Sequence, residues 1–522
     1  MTVAARCQSI MHSPSRPQVF VMPACRRESH VSRQSRRAWW CAVVVCVAAA
    51  AGCVVEERVW WSPDGSVAAV DGRPGLRLMR PDGTLSEPIL DGQCFGVSWL
   101  PDGSGLVVAR AIEVATWAEA KPLLPAEEVE AMETAARCVP AVIRAMADLE
   151  KVPKTSDEFF RFPMDEAGAW TLFALACARD RHADELRATT RTFWRASDSE
   201  RELSDEEAAG RWREIQDAPL RVWDLSLVPV ANGAAAGPVR SLLRSLRPMS
   251  CPTLTPRGGW VAVRLRTGST ESVPGVFASE GVHSLVALDM KGGQRVGIAD
   301  GVCSNPVWLS DGVTLAFVTV APGHIGAGQR EAIKTLARKT LVAGGPDGMQ
   351  AGETRPLMAG VFPSSRLALL PGDRLLIPAV EMSLPMRPDA ELRPRLFVVD
   401  AAPHSKARPA AVNSAAEALP QDLGAFAVSP DGTRAAVVER RTDGVAVVDL
   451  ATGRVEPVTA ASGHECGTLP AWRNDRELLI QTRRPPGDGR DTWAIWQRGI
   501  PLRWLDETWT DTERETLPLV RE

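Results

Sequence analysis

The chain has 522 residues, with 60 Lys plus Arg against 64 Asp plus Glu, a formal charge of −4. Residues 1–52 hold seven Arg, no Lys and one Glu, or +6, which leaves −10 on the remainder. That balance excludes nucleic acid as the expected partner, because phosphate binding needs a basic surface.

The first expected element is an export leader over residues 1–52. Arg36 and Arg37 precede an apolar stretch from Ala38 to Ala51, and a stretch of that length is too short for a comfortable membrane span. Met22 is a more usual start than Met1, which would leave residues 1–21 untranslated. Ser35 to Trp39 faintly resembles a twin-arginine export signal. Ala50-Ala51-Gly52-Cys53 resembles the bacterial lipobox, and the resemblance implies that Cys53 is acylated and becomes the first mature residue. The alternative is an ordinary leader with an incidental Cys, which gives a soluble secreted protein. Val54, rather than Asp, follows Cys53. By resemblance to enterobacterial lipoproteins, this favours a periplasm-facing anchor in the outer membrane over the inner one.

The next elements repeat. Trp61-Ser62-Pro63-Asp64-Gly65 and Trp99-Leu100-Pro101-Asp102-Gly103 each precede a short apolar run, and Ser429-Pro430-Asp431-Gly432 does the same. Pro presets φ near −65°, Asp suits a turn, and Gly tolerates a left-handed backbone, so each motif predicts a hairpin turn. Weaker copies follow Leu254, Trp308, Leu370 and Trp472, which makes seven. The flanking runs are too short for helices and are bounded by breakers, so they predict antiparallel strands. Outside one long gap the turns recur every 38 to 60 residues, a period of about four strands that marks a β-propeller. An all-β ring of seven blades is expected over residues 53–117 and 219–509, followed by a tail at 510–522. Six blades would mean that the fifth copy, at Pro371-Gly372-Asp373, is miscounted. The Trp or Leu before each turn should lie between blades. A β-sandwich with unusually regular turns is the competing architecture.

The Trp-Ser-Pro-Asp-Gly turn, followed by an apolar strand and an apolar-x-Asp-x-x-x-Gly segment such as Val447 to Gly453, resembles the TolB-type, WD-repeat-like propeller family across most of residues 56–509. That resemblance implies a propeller fold. It is poor in functional detail, since the family includes partner-binding propellers of the cell envelope and propellers fused to serine peptidases.

The long gap runs 155 residues, from Gly103 to Gly258, and it predicts an insertion of about one hundred residues at the second blade. Residues 118–218 contain 14 Lys plus Arg and 22 Asp plus Glu, a net −8. Helical stretches are expected at Ala126–Leu149, with Val129, Met132 and Ala136 on one face, at Asp165–Ala196 and at Asp205–Gln216. Ser204 with Glu207 three residues on suggests a capping box. Asp180, His182, Asp184 and Glu185 are the only metal-like grouping there, and a solvated helix face explains them better than a site lacking its usual three or four ligands. The insertion is therefore expected to be a docking surface or a lid.

Six Cys follow Cys53, and four of them precede a turn at similar offsets: Cys94, Cys251, Cys303 and Cys466. In a propeller that place is the connection into the innermost strand, near a mouth of the channel. Three readings stay open. In an exported chain such thiols often pair, with Cys94 near Cys251, or Cys251 near Cys303, and with Cys138 near Cys177 in the insertion. They could instead form a thiolate metal cluster aided by His464, or sit unpaired as small apolar residues.

No Gly-x-Ser-x-Gly elbow, P-loop, His-Glu-x-x-His or EF-hand pattern occurs. A peptidase branch is therefore excluded, and no cofactor is expected. The expected function is a non-catalytic binding or scaffolding module of the cell envelope, whose partner is an envelope protein or glycan. The alternatives are a propeller enzyme acting on carbohydrate or peptide through channel carboxylates, and a small-ligand or metal sensor using the channel cysteines.

Overall fold

At the first turn Gly65 N–H donates to Ser62 O at 2.9 Å and Ser62 N–H donates to Val67 O at 2.8 Å, with Gly65 at φ 68°. The Asp64 carboxylate accepts from Ser62 Oγ at 2.6 Å, Ser66 Oγ at 2.8 Å and Ser66 N–H at 3.1 Å. The turn is thus held by the residues that mark it in the sequence.

These bonds favour the charged carboxylate. The Ser62 hydroxyl, then the Ser66 amide and hydroxyl, bring the Asp64 pKa from 3.8 to about 2. Asp102 is held low by Ser104, and at Asp431 burial pushes the carboxyl up but the Ser429 and Thr433 bonds outweigh it and hold it low. A folded pKa below the unfolded one stabilises the fold above the unfolded value, and that contribution is lost as pH falls through the folded one. The melting temperature should therefore drop between about pH 4 and pH 2, and Asp64→Asn should flatten part of that drop in calorimetry. A variant with an unchanged acid limb would contradict the assignment.

The computed structural model describes residues 58–72, 75–134, 136, 204, 206–207, 210, 220–268, 282–291, 293–302, 304–320, 334–343, 348–361, 366–380, 394–402, 410–412, 423–439, 444–458, 469–483 and 491–505. All strands are antiparallel to their sheet neighbours. The first sheet is β1 (Val59–Trp61), β2 (Ala68–Asp71), β3 (Gly75–Met79) and β4 (Leu90–Asp91). The second is β5 (Cys94–Trp99), β6 (Gly105–Val114), β7 (Leu220–Ala231), β8 (Ala234–Ala235) and β9 (Arg240–Ser245). The third runs through twelve strands: β10 (Met249–Leu254), β11 (Trp260–Gly268), β12 (Val282–Asp289), β13 (Arg295–Val302), β14 (Val307–Trp308), β15 (Thr314–Val320), β16 (Lys334–Ala343), β17 (Met349–Val361), β18 (Ala368–Leu370), β19 (Arg374–Val380), β20 (Pro394–Asp400) and β21 (Ala410–Ala411). The fourth is β22 (Leu423–Val428), β23 (Arg434–Glu439), β24 (Val445–Asp449) and β25 (Val455–Pro457). The fifth is β26 (Ala471–Trp472), β27 (Glu477–Arg483), β28 (Asp491–Gln497) and β29 (Ile500–Trp504).

The architecture is an all-β propeller. Among the described residues its hydrogen-bonded sheets number five, which corrects the expectation of seven separate ones. The physical reason lies in two single residue pairs: Val302↔Thr319 sews β13 to β15, and Val361↔Ala379 sews β17 to β19. The strands entering a turn, β1, β5, β10, β14, β18, β22 and β26, touch one another in that order and return to β1. Among the described residues the buried apolar side chains form seven clusters, each shared by two successive runs of strands around this ring. Middle strands are therefore covered on both faces. Leu106, Val107, Val108 and Ala109 of β6 are all 0% exposed, which explains why the sequence shows apolar runs rather than alternation.

The Trp before each turn locks neighbours together. Trp99 Nε1 donates to Trp60 O at 2.7 Å, Trp308 Nε1 to Thr253 O at 3.0 Å and Trp472 Nε1 to Ala427 O at 3.0 Å. Each acceptor lies one residue before the corresponding turn-entry position of the preceding run. Trp61 departs from this pattern: its ring lies under the Arg473 guanidinium, 5.7 Å from the centroid. The same Arg473 donates through Nε to Gly65 O at 3.0 Å, joining the last turn to the first. The ring closes without exchanging a strand, because β1–β4 and β26–β29 are each contiguous in sequence.

Candidate functional site

The insertion leaves β6 at Val114 and re-enters β7 at Leu220, two residues that pair directly. It therefore occupies the turn of a hairpin in the second sheet. At its entry Thr116 caps the short helix Trp117–Ala120, with Glu119 N–H donating to Thr116 Oγ1 at 3.2 Å and Ala115 N–H donating back to Glu119 Oε2 at 3.0 Å. The Thr-x-x-Glu spacing signals this cap, in which Glu119 reaches back one residue beyond the N-cap Thr116, and the sequence reading missed it. Residues 126–134 are helical. Met132 and Ala136 of the expected apolar stripe are buried, as are Trp117 and Ala120.

Glu128 seats this helix on the ring. Its carboxylate accepts from Ser245 Oγ and from Leu246 N–H, each at 2.7 Å. At the far end Ser204 and Glu207 form the expected capping box, with Glu207 N–H donating to Ser204 Oγ at 3.2 Å and Ser204 N–H to Glu207 Oε2 at 2.8 Å. The remaining insertion residues, including Asp180, His182, Asp184, Glu185, Cys138 and Cys177, lie outside the described residues.

Under the seat lies a buried carboxylate that spacing could not reveal, since one partner is 114 residues away across the insertion. Asp224, 1% exposed, accepts from Arg110 Nε at 3.2 Å and Nη2 at 3.1 Å, from the Ser226 and Ser241 hydroxyls at 2.5 Å, and from Arg244 Nε at 3.4 Å. Burial pushes its pKa up, but the Ser226 and Ser241 hydroxyls and the Arg110 charge outweigh it, and the net direction is down. Asp224 thereby ties β6, β7 and β9 together beneath the insertion.

Cys94 opens β5 and Cys251 is the third residue of β10, and β5 touches β10. Both carry free thiols. Burial, then the nearby Asp71 charge, pushes the Cys94 thiol well above its usual pKa. Cys251 sits in a left-handed backbone at φ 51°, with Arg264 Nη2 3.2 Å from its Sγ. A Cβ on Gly96 (φ 144°) would come within 2.8 Å of Pro252, so at this place only glycine lets the two strands approach. Cys53, Cys303, His464 and Cys466 lie outside the described residues. Among the described residues no three His, Cys, Asp or Glu side chains converge as metal ligands, and no helix is long and apolar enough to cross a membrane.

The chain also holds a cleft of about 680 Å³, lined from β12 and β13 on one side and β15, β16 and β17 on the other. Leu285, Ile298, Phe317 and Ala337, buried in the cluster between these strands, lie beneath it, and Ala299 and Pro356 are its accessible apolar lining. Gln294 bridges the two sides, donating through Nε2 to Met349 O at 2.9 Å and accepting from Met349 N–H at 3.2 Å. Lys339 Nζ donates to Ile298 O at 2.6 Å, and Thr319 Oγ1 donates to Gly301 O at 3.3 Å.

No protein-family model and no curated protein matches the chain. Its fold is similar to solved propellers at low identity. TolB from Acinetobacter baumannii is 16% identical at a TM-score of 0.34, the likeness covering 57% of this chain and 60% of that one. A structure assigned as TolB from Agrobacterium tumefaciens is 12% identical at 0.32, covering 51% and 84%. The oligogalacturonate lyase of Vibrio parahaemolyticus is 8% identical at 0.42, covering 85% and 89%.

Proposed function

We propose that this chain is a non-catalytic binding module of the bacterial cell envelope, tethered through an acylated Cys53, in which the propeller presents the acidic insertion to a protein or glycan partner. The observation that carries the reading is the seat of the insertion. Its two ends return to the paired residues Val114 and Leu220, and Glu128 fixes the helix at 126–134 to the end of β9. A segment whose ends are fixed to a rigid scaffold is the usual place for recognition.

Two variants test the proposal. Cys53→Ser should release the protein from membranes or leave an uncleaved precursor, and unchanged processing and membrane retention would overturn the anchor. Replacing residues 118–218 by a short Gly/Ser linker should leave a folded ring, because the hairpin ends are already paired. It should also abolish capture of a defined partner by cross-linking on intact membranes. A folded deletion variant that captures the same partner equally well would move recognition to the ring.

A further inference from the structure

The cleft between β12–β13 and β15–β17 is distinct from the insertion. At about 680 Å³ it falls within the usual range for a small-molecule site, and it combines an apolar wall with a few polar groups, the ordinary composition of such sites. Its charge is one-sided. Arg247, Arg295 and Lys339 line it against a single carboxylate, Asp300, which already accepts the Ser284 hydroxyl at 2.5 Å. Arg295 is exposed and makes no ion pair among the described residues, and Lys339 spends one proton on the Ile298 carbonyl, leaving two.

At Gly297, on β13 in the lining, an added Cβ would meet nothing within 4 Å. The space beside that strand is open, and it can be filled from this position without touching the backbone of a neighbour. Two register shifts in the pairing of β12 with β13, between His283 and Leu285 and between Leu285 and Val286, accompany the opening.

We propose that this cleft binds a small organic anion, with its acidic group among Arg247, Arg295 and Lys339 and its apolar body along Ala299 and Pro356. The cations select the head by charge, and low polarity along the wall strengthens that attraction relative to water. The wall selects an apolar tail by area removed from water.

Decanoate and its uncharged counterpart decanol are suitable probes, measured by titration calorimetry on the mature chain. Decanoate should bind with a stoichiometry of one, about tenfold or more tighter than decanol, and weaken as salt rises. Gly297→Trp should weaken decanoate by about tenfold or more by occupying the cleft, and Lys339→Met should do so by removing charge. Gly297→Leu serves as the blocking variant if the Trp variant loses its circular dichroism signal. Absence of saturable decanoate binding to the wild type overturns the proposal, and so does equal affinity in the folded blocking variant. Decanol binding as tightly as decanoate overturns the anion selectivity.

Discussion

Asp224→Ala should destabilise the protein by about 3–5 kcal/mol, the usual result of removing one member of a buried ionic network and leaving the other charge uncompensated. The carboxylate is 1% exposed and accepts from Arg110, Ser226, Ser241 and Arg244 at 2.5 to 3.4 Å. Its removal leaves the Arg110 guanidinium, whose side chain is 17% exposed, without its ion-pair partner. Asp224→Asn keeps one acceptor oxygen and should lose less. The damage should also reach the insertion, because Arg244 and Ser241 belong to β9, whose end carries the Ser245 hydroxyl that Glu128 holds. Urea unfolding gives the total loss, and amide exchange at Leu246 reports the local one. A loss below about 1 kcal/mol, the level of an exposed pair, would show that the network is not behaving as a buried one.

Gly432→Ala should cost about 3 kcal/mol or more, and Gly103→Ala much less. Both glycines occupy the left-handed position of a Pro-Asp-Gly turn, at φ 67° and 72°, so both alanines meet the same backbone strain of about 1–2 kcal/mol. They differ in what stands next door. A Cβ at Gly432 would lie 2.3 Å from Pro371 Cδ in the preceding turn, whereas one at Gly103 would meet nothing within 4 Å. Overpacking of that kind typically adds about 1–3 kcal/mol. The difference between the two variants, read from chemical denaturation, isolates the contact between neighbouring turns. Equal losses would mean that the turns are strained individually and do not support one another around the channel.

What could be read from the sequence was local. The turn at Gly65, the pre-turn Trp99, Trp308 and Trp472 and the capping box of Ser204 with Glu207 are each specified within a few residues, and each is present. The acidity of the insertion was legible from composition, but its seat was not, because nothing in the spacing separates Glu128 from the other acids of the same helix. Asp224 is similar: its meaning depends on Arg110, far away in the chain. For Cys94 and Cys251, the equivalent repeat positions left pairing, metal binding and unpaired packing open, and the left-handed backbone at Cys251 and the close approach at Gly96 are features that spacing does not encode. The union of three strand runs into one sheet was also illegible, since it depends on two residue pairs at strand ends, Val302↔Thr319 and Val361↔Ala379.

The most direct test of recognition by the insertion is the salt dependence of partner affinity, compared between the mature chain and the chain lacking residues 118–218. A net −8 is concentrated in those residues, while the rest of the chain after residue 52 carries only −2, from −10 less −8. A basic surface drawn to that segment should bind more weakly as the Debye length shortens from about 10 Å at 0.1 M to about 3 Å at 1 M. The account predicts a steep fall in affinity with salt for the full chain, and little or no binding by the folded deletion variant at any salt. Unchanged affinity and an unchanged salt slope after the deletion would contradict it.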